Sequence, residues 1–390
     1  MSVLADRDQA FVAGIRQIAD EVAAPNADDV DRNARFPQES LDALREQRAL
    51  SAFVPEELGG DGVSLRAVAE ACFELGRRCG ASAMVFAMHQ IQVATIVRHL
   101  DGAPFFEDYL RELADQQRLI ASVTSEVGTG GDMGRSIAAL TPAGDGMATF
   151  EKQAPTVSYG AYADDLLTTL RSGPDAEAGD QVVALSRREQ TTLEPKGTWD
   201  PLGMRGTCSP GYVVRAEVPA QQVLAVPFSA IASQTMVPVS HLLWSHLWLG
   251  ISTDAFDRAR AFVRAAARQK PGQPVPAAVK LSHVMSDLSL LRAEVRAALD
   301  EFLRVDADDR DRLGTMAMAL LFNNLKVAAS DQAPRVCQGA MNVCGIVGFK
   351  NDTPFSIGRH LRDTMSASLM VANERIHQTN AGLLLIAKEV

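Results

Sequence analysis

Residues 123–132, Val-Thr-Ser-Glu-Val-Gly-Thr-Gly-Gly-Asp, set hydroxyl side chains ahead of a loop that carries three glycines and closes on an aspartate. Such a loop lets backbone N–H groups approach an anion closely, which is the chemistry of a phosphate cradle, with Thr124, Ser125, Gly130 and Gly131 in it. The alternative is a surface turn. A second cluster, His241, Trp244, His246 and Trp248, joins imidazoles suited to proton transfer near neutrality with large aromatic surfaces. The two imidazoles are five residues apart and do not share a helical face, which argues against a metal pair and leaves pocket lining or core packing for each. His89 lies in an apolar run, Met84 to Ile91, and reads as a satisfied core histidine or a pocket group. No GxSxG, HExxH, P-loop or zinc-spaced cluster competes for the chemistry.

Three blocks of different periodicity must position these groups. In 1–119 apolar residues recur at three- and four-residue spacing, as in Phe11, Ile15, Ile18 and Val22, which predicts helices interrupted at Pro25-Asn26, Phe36-Pro37 and the Gly59–Gly62 loop. In 120–230 short runs such as Leu166–Leu170, Val182–Leu185 and Tyr212–Val214 predict strands. In 231–390 helical spacing returns in Thr253–Arg268, Ala277–Leu303 and Leu313–Val327, with Pro271, Pro274 and Pro276 separating the first two. The run Asp306–Asp311 reads as an acidic loop between helices, without the turning glycine of a calcium site.

The 38 basic and 48 acidic residues give a formal charge of −10 spread along the chain, which weighs against a nucleic-acid partner. Arg77-Arg78 and Arg187-Arg188 read as solvated surface. Five scattered cysteines with no CxxC pair predict free thiols and a reducing cytoplasm. The first residues carry acid early and lack an apolar stretch of signal-peptide length, and no run reaches the ~18 apolar residues of a membrane span, so no membrane is expected.

Ser125–Asp132 resembles the acyl-CoA dehydrogenase signature S/T-E-P-x-A-G-S-D, with Val127 in place of proline and Gly131 in place of serine. Trp199–Ser209, Trp-Asp-Pro-Leu-Gly-Met-Arg-Gly-Thr-Cys-Ser, is similar to the superfamily pattern W-x-x-L-G-M-R-G-T-x-S. Thr156–Gly160 resembles W-I-S/T-N-G/A, which assigns Ser158 to the isoalloxazine edge; Arg268–Gly272 resembles R-x-x-F-G, whose arginine reaches the FAD pyrophosphate of a neighbouring subunit. Asn342–Phe349 resembles Q-x-x-G-G-x-G-Y/F and brings in Asn342 and Gly345, while Arg359–Asp363 resembles the E-R/K-x-x-R-D approach to the last helices. Asn373 is assigned to the cofactor by the same resemblance, which covers nearly the whole chain.

The resemblance implies an α+β multidomain fold: an N-terminal α-helical domain (1–119), a middle β-sandwich or barrel domain (120–230) and a C-terminal four-helix bundle (231–390), with FAD between sheet and bundle. It implies a homo-oligomer, dimer or tetramer, and an oxidoreductase of fatty acid metabolism acting on CH–CH groups. Such an enzyme takes an acyl-CoA or acyl-carrier thioester, passes hydride to flavin N5 and hands electrons to an electron-transfer flavoprotein. Its glutamate base stands nine residues after the R-D arginine, which here is Val371; an alternative position early in the first bundle helix is Ser240. Glu374 is the nearest substitute, on an adjacent part of the same helical face if the helix continues, and His241 or His246 is the other candidate. Three readings stay open: a dehydrogenase with a displaced base, a flavin-dependent monooxygenase or nitroso-forming oxidase, and a non-catalytic subunit of a heteromeric dehydrogenase.

Overall fold

The computed structural model describes residues 5–269 and 271–387. Helices α1 (Asp6–Ile18) and α2 (Ala24–Arg32) run on through a π-helical stretch at Ala19–Ala23; of the predicted stripe Phe11, Ile15 and Ile18 are buried and Val22 half-buried, with Val12 joining the buried face. Pro37 opens α3 (Gln38–Glu46), as its fixed φ and missing N–H favour. Ser64 caps α4 (Leu65–Gly76) by accepting from the Ala67 N–H. There follow α5 (Gly80–Arg98) and α6 (Pro104–Gln116). By length and mean hydropathy of 1.3, α5 could cross a membrane, a feature the expectation of no such segment missed; 89% of it is buried in the fold. A helix apolar all round is what a central core position requires.

The middle block forms two sheets. β1 (Ile120–Val123), β4 (Asp165–Arg171) and β5 (Gln181–Arg187) make one, ordered β1-β4-β5; β2 (Thr141–Gly144), β3 (Met147–Ala154), β7 (Gly211–Pro219) and β6 (Thr191–Lys196) make the other, ordered β2-β3-β7-β6. β3 alternates buried and exposed residues, whereas β4 is buried along almost its whole length, so the first sheet is the inner one. Here Asp165 is fully buried and receives Arg118 and Tyr109 side chains.

After the short α7 (Phe228–Ile231) come α8 (Val237–Gln269), α9 (Ala277–Asp308) and α10 (Met316–Cys344), then α11 (Ile346–Phe349), α12 (Gly358–Met365) and α13 (Asn373–Leu384). α10 packs on both α8 and α9, and α4 on α8. A side chain at Gly250 would meet the Phe73 carbonyl oxygen at 2.2 Å, so this glycine permits the close α4–α8 crossing. α10 continues well past Val327 and includes Pro334. Proline costs roughly 3 kcal/mol inside a helix, but Ala329, Ala333, Val336, Cys337 and Ala340 bury one continuous face around it. The run Asp306–Asp311 is only partly a loop, since α9 extends to Asp308 and Asp306 is held by Arg98 of α5 at 2.7 Å.

Candidate functional site between the inner sheet and α8

A cavity of about 670 Å3 lies where the middle sheets meet α5, α8 and the chain after α12. Its β-side wall is polar. Thr124, Ser125, Thr129, Gly130, Gly131 and Asp132 line it, and Gly130 and Gly131 hold φ values of 61° and 82° that other residues resist. The motif's Glu126 does not face the cavity; it pins the loop by accepting from the Ile137 and Ala138 N–H groups and the Ser136 hydroxyl, with the buried Lys152 ammonium 3.6 Å away. Burial pushes that ammonium down to about 8. Ser209 Oγ lies 2.8 Å from Thr207 Oγ1 and donates to Ser158 Oγ at 2.9 Å, leaving the Ser158 hydrogen free for a ligand.

The helical wall is apolar and sulfur-rich. Seven of the thirteen methionines line the cavity: Met84, Met88, Met133, Met204, Met236, Met365 and Met370. His241 and Trp244 project from α8 with ring centroids 6.1 Å apart, and Trp248 continues the row 6.5 Å further on. His241 Nδ1 donates to the Phe322 carbonyl of α10 at 3.0 Å, which fixes the neutral tautomer with Nε2 as its acceptor. Burial, helped by the Lys326 charge, pushes this imidazole down to about 3. Trp244 Nε1 is buried without a partner among the described residues.

The remaining wall is the turn between α12 and α13. Val371 sits in left-handed backbone at φ 46°, a conformation costly for a β-branched residue. Lys326, fully buried in α10, donates to the Val371 carbonyl at 2.9 Å and to Asn373 Oδ1 at 2.7 Å. Met204, left-handed at φ 52°, is held by its N–H donating to the buried Asp363 carboxylate at 2.7 Å. Burial pushes Asp363 up to about 6 against the pull of Arg359. Strained backbone thus clusters around the cavity, as at sites where surrounding structure over-determines geometry. Arg375 reaches over the mouth, donating to the Gly130 carbonyl at 2.7 Å with Asp132 at 3.6 Å.

Of the expected site residues, Thr124, Ser125, Gly130, Gly131, Ser158 and His241 come together in this cavity. Asn373 stands just behind its wall, tied to Lys326 and Ser330. His246 is not a cavity residue: it is buried, spends Nδ1 on the Leu242 carbonyl of its own helix, and is pushed down to about 4 by burial. Glu374 is not on the face of Val371. The helix does not continue, because the chain turns at Val371 before α13 begins, and the Glu374 side chain ends exposed in the first turn of α13. Asn342 and Gly345 line a separate open groove of about 1180 Å3 beside the exposed Ile346 and Phe349, and Arg268 is exposed near the end of α8. His89 is a core residue bridging the Leu50 carbonyl and the Ile120 N–H. Sequence reasoning gave no role to Lys326, Asp363, Arg375 or the methionines. A lone lysine in the apolar stretch Leu320–Ala329 was the available sign.

A sheet domain between an N-terminal helical domain and a C-terminal helical region, with the cavity where sheet and helices meet, is the acyl-CoA dehydrogenase-like fold. Residues 5–116 match the family described as acyl-CoA dehydrogenase, N-terminal domain. Cyclohex-1-ene-1-carbonyl-CoA dehydrogenase of Syntrophus aciditrophicus is 24% identical, covering 99% of this chain and 91% of that protein. Among solved structures, KijD3 in complex with FMN and dTDP-3-amino-2,3,6-trideoxy-4-keto-3-methyl-D-glucose is similar with a TM-score of 0.83 at 23% identity, covering 99% and 96% of the two chains. FMN-bound TdsC, a dibenzothiophene monooxygenase of Paenibacillus sp. A11-2, is similar with a TM-score of 0.79 at 19% identity, covering 98% and 97%. The chain thus has the acyl-CoA dehydrogenase-like fold, and its residues 5–116 match the N-terminal domain of that family.

Proposed function

We propose that this chain is a flavin-dependent monooxygenase working in the cavity between the sheets and α8. One observation carries the reading: among the described residues that line the cavity, the only carboxylate is Asp132, and it is turned to Arg375. Taking an α-proton from a thioester requires an acceptor within hydrogen-bond reach whose pKa lies near the working pH. Val371 and Ser240 offer none, and His241, pushed down to about 3, is a poor base at neutrality. Oxygen insertion requires a water-poor pocket and oriented hydrogen bonds rather than a strong base.

The donor set fits a flavin. The left-handed Gly130 and Gly131 suit close approach of a phosphate, the free Ser158 hydrogen suits an isoalloxazine edge, and Trp244 Nε1 is a buried donor with no partner among the described residues. Thr124, Ser125, Gly130, Gly131 and Ser158 are the residues that would hold it. When bound and reduced by a separate flavin reductase, the flavin supplies two electrons for dioxygen, one atom of which enters the substrate while the other leaves as water. This chain's own part is to exclude water with the methionine wall, orient the substrate through His241 Nε2, and close the mouth with Arg375. FMN in KijD3 and TdsC supports a flavin here; FAD is the expectation from the signature motifs. Arg268, Asn342 and Gly345 lie outside the cavity; a homo-oligomer in which Arg268 serves a neighbouring copy's flavin is the arrangement this reading proposes.

The second reading is an acyl-CoA dehydrogenase passing electrons to an electron-transfer flavoprotein, favoured by the N-terminal domain match and by a dehydrogenase relative spanning 99% of this chain. The two readings separate in one experiment. Protein loaded with FMN or FAD is treated anaerobically with a panel of acyl-CoA thioesters, and separately with NADH, a flavin reductase and air. Oxygen-dependent product formation with no thioester bleaching is expected. Anaerobic bleaching by any thioester would overturn the monooxygenase reading and restore the dehydrogenase.

A further inference from the structure

We propose that the substrate is a neutral aromatic molecule bearing a hydrogen-bond donor, a hydroxyl or ring N–H, which is given to His241 Nε2; this rests on the monooxygenase reading and names its substrate class. Charge is the first argument. The cavity's charged lining groups are Asp132, Arg362 and Arg375, and all are spent. Arg362 grips both oxygens of Asp31 and donates to the Leu202 carbonyl at 2.9 Å. Arg375 and Asp132 face one another at the glycine loop. An anionic substrate would therefore meet, among the described lining residues, only cations that are already paired, and desolvating it would cost several kcal/mol.

Shape and polarizability are the second. Thioethers are flexible and make favourable contacts with ring edges, so a wall of methionines adapts to a flat ring better than to a branched aliphatic chain. Met84, Met88 and Met236 stand in the wall with Trp244, while Leu202, Met365 and Leu369 are 59%, 47% and 77% exposed at the mouth. Those exposed apolar groups give a ring an apolar path inward. His241 and Trp244 supply aromatic surface along α8 inside the cavity, backed by the fully buried Trp248.

Polarity is the third. The His241 Nδ1 hydrogen is committed to the Phe322 carbonyl, so the ring meets a ligand only as an acceptor. Ser240, beside it, donates its own hydrogen to the Val237 carbonyl at 2.8 Å and is likewise left as an acceptor. A substrate lacking a donor would leave these lone pairs unpaired in a closed site, a loss expected to be about tenfold in affinity.

The test is calorimetric titration of the flavin-loaded, oxidised protein with three probes of one ring system: 2-naphthol, 2-methoxynaphthalene and 2-naphthoate. The expected result is saturable binding of 2-naphthol, about tenfold weaker binding of the methyl ether, and no saturable binding of the carboxylate. In His241→Leu the difference between naphthol and ether should collapse to within about twofold. If that variant does not fold, the series on the unmodified protein still decides. Equal affinity for naphthol and ether, tight binding of the naphthoate, or no binding of any probe overturns the proposal. Binding as expected without oxygen-dependent turnover would instead remove the monooxygenase reading and leave the ligand class standing.

Discussion

Lys326→Met should loosen the turn at Val371 without unfolding the protein. The ammonium of Lys326 is fully buried and donates to the Val371 carbonyl and to Asn373 Oδ1, which also accepts from Ser330 while Asn373 Nδ2 donates to Asp331. Burial pushes the lysine down to about 8, so in the folded chain the charged form is disfavoured despite both acceptors. Replacing it with an apolar side chain of similar length removes that penalty, and overall stability should change by no more than about 1 kcal/mol. The turn behaves differently. Left-handed backbone at Val371 costs about 1–2 kcal/mol, and a bond from a charged donor contributes about 1.5–3 kcal/mol. Losing that bond lets the strain win locally, which corresponds to a tenfold to hundredfold rise in opening. Hydrogen–deuterium exchange of peptides spanning 366–376, with thermal unfolding alongside, measures both quantities. Unchanged exchange in this segment, or exchange raised uniformly along the chain, would refute the assignment of Lys326 as the residue that positions the cavity wall.

Stability should fall as pH drops from about 6.5 towards 4. His89, His241, His246 and His360 are buried and depressed to between about 3 and 4, so the unfolded chain takes up protons that the folded chain refuses, with each imidazole adding about 1.4 kcal/mol per pH unit. Asp363, raised to about 6, opposes this over part of the same range. Urea midpoints that stay flat from pH 7 to pH 4.5 would contradict this. Gly203→Ala would drive a methyl to 2.0 Å from the Arg362 carbonyl oxygen, a backbone clash that no rotamer relieves. It should cost more than about 3 kcal/mol and abolish flavin retention; a variant with wild-type melting temperature would show that the Leu202–Thr207 turn is not seated on α12. Glu374→Gln, at an exposed position, should change stability by less than about 0.5 kcal/mol and leave flavin binding and turnover at wild-type levels. A large loss of turnover would return this carboxylate to the reaction.

The order of helical, sheet and helical blocks follows from period and punctuation alone, because the stripe of Phe11, Ile15 and Ile18 and the runs in β4 and β5 admit one face or one pleat each. Local chemistry also marked out the glycine loop, and the family resemblance marked Val371 and Ser240 as the positions where a glutamate is missing. Sequence could not decide which groups meet. Asp363 supports Met204 from 159 residues away, and Lys326 supports Val371 from 45, distances over which no periodicity carries information. Nor could it tell His241 from His246, five residues apart on one helix: burial is similar, and only the packing of α10 against α8 makes one a wall of the cavity and leaves the other bonded to its own helix. Glu374 was misread for the same reason, since a left-handed turn at a valine runs against local preference and is held by a buried lysine that only the tertiary fold brings there.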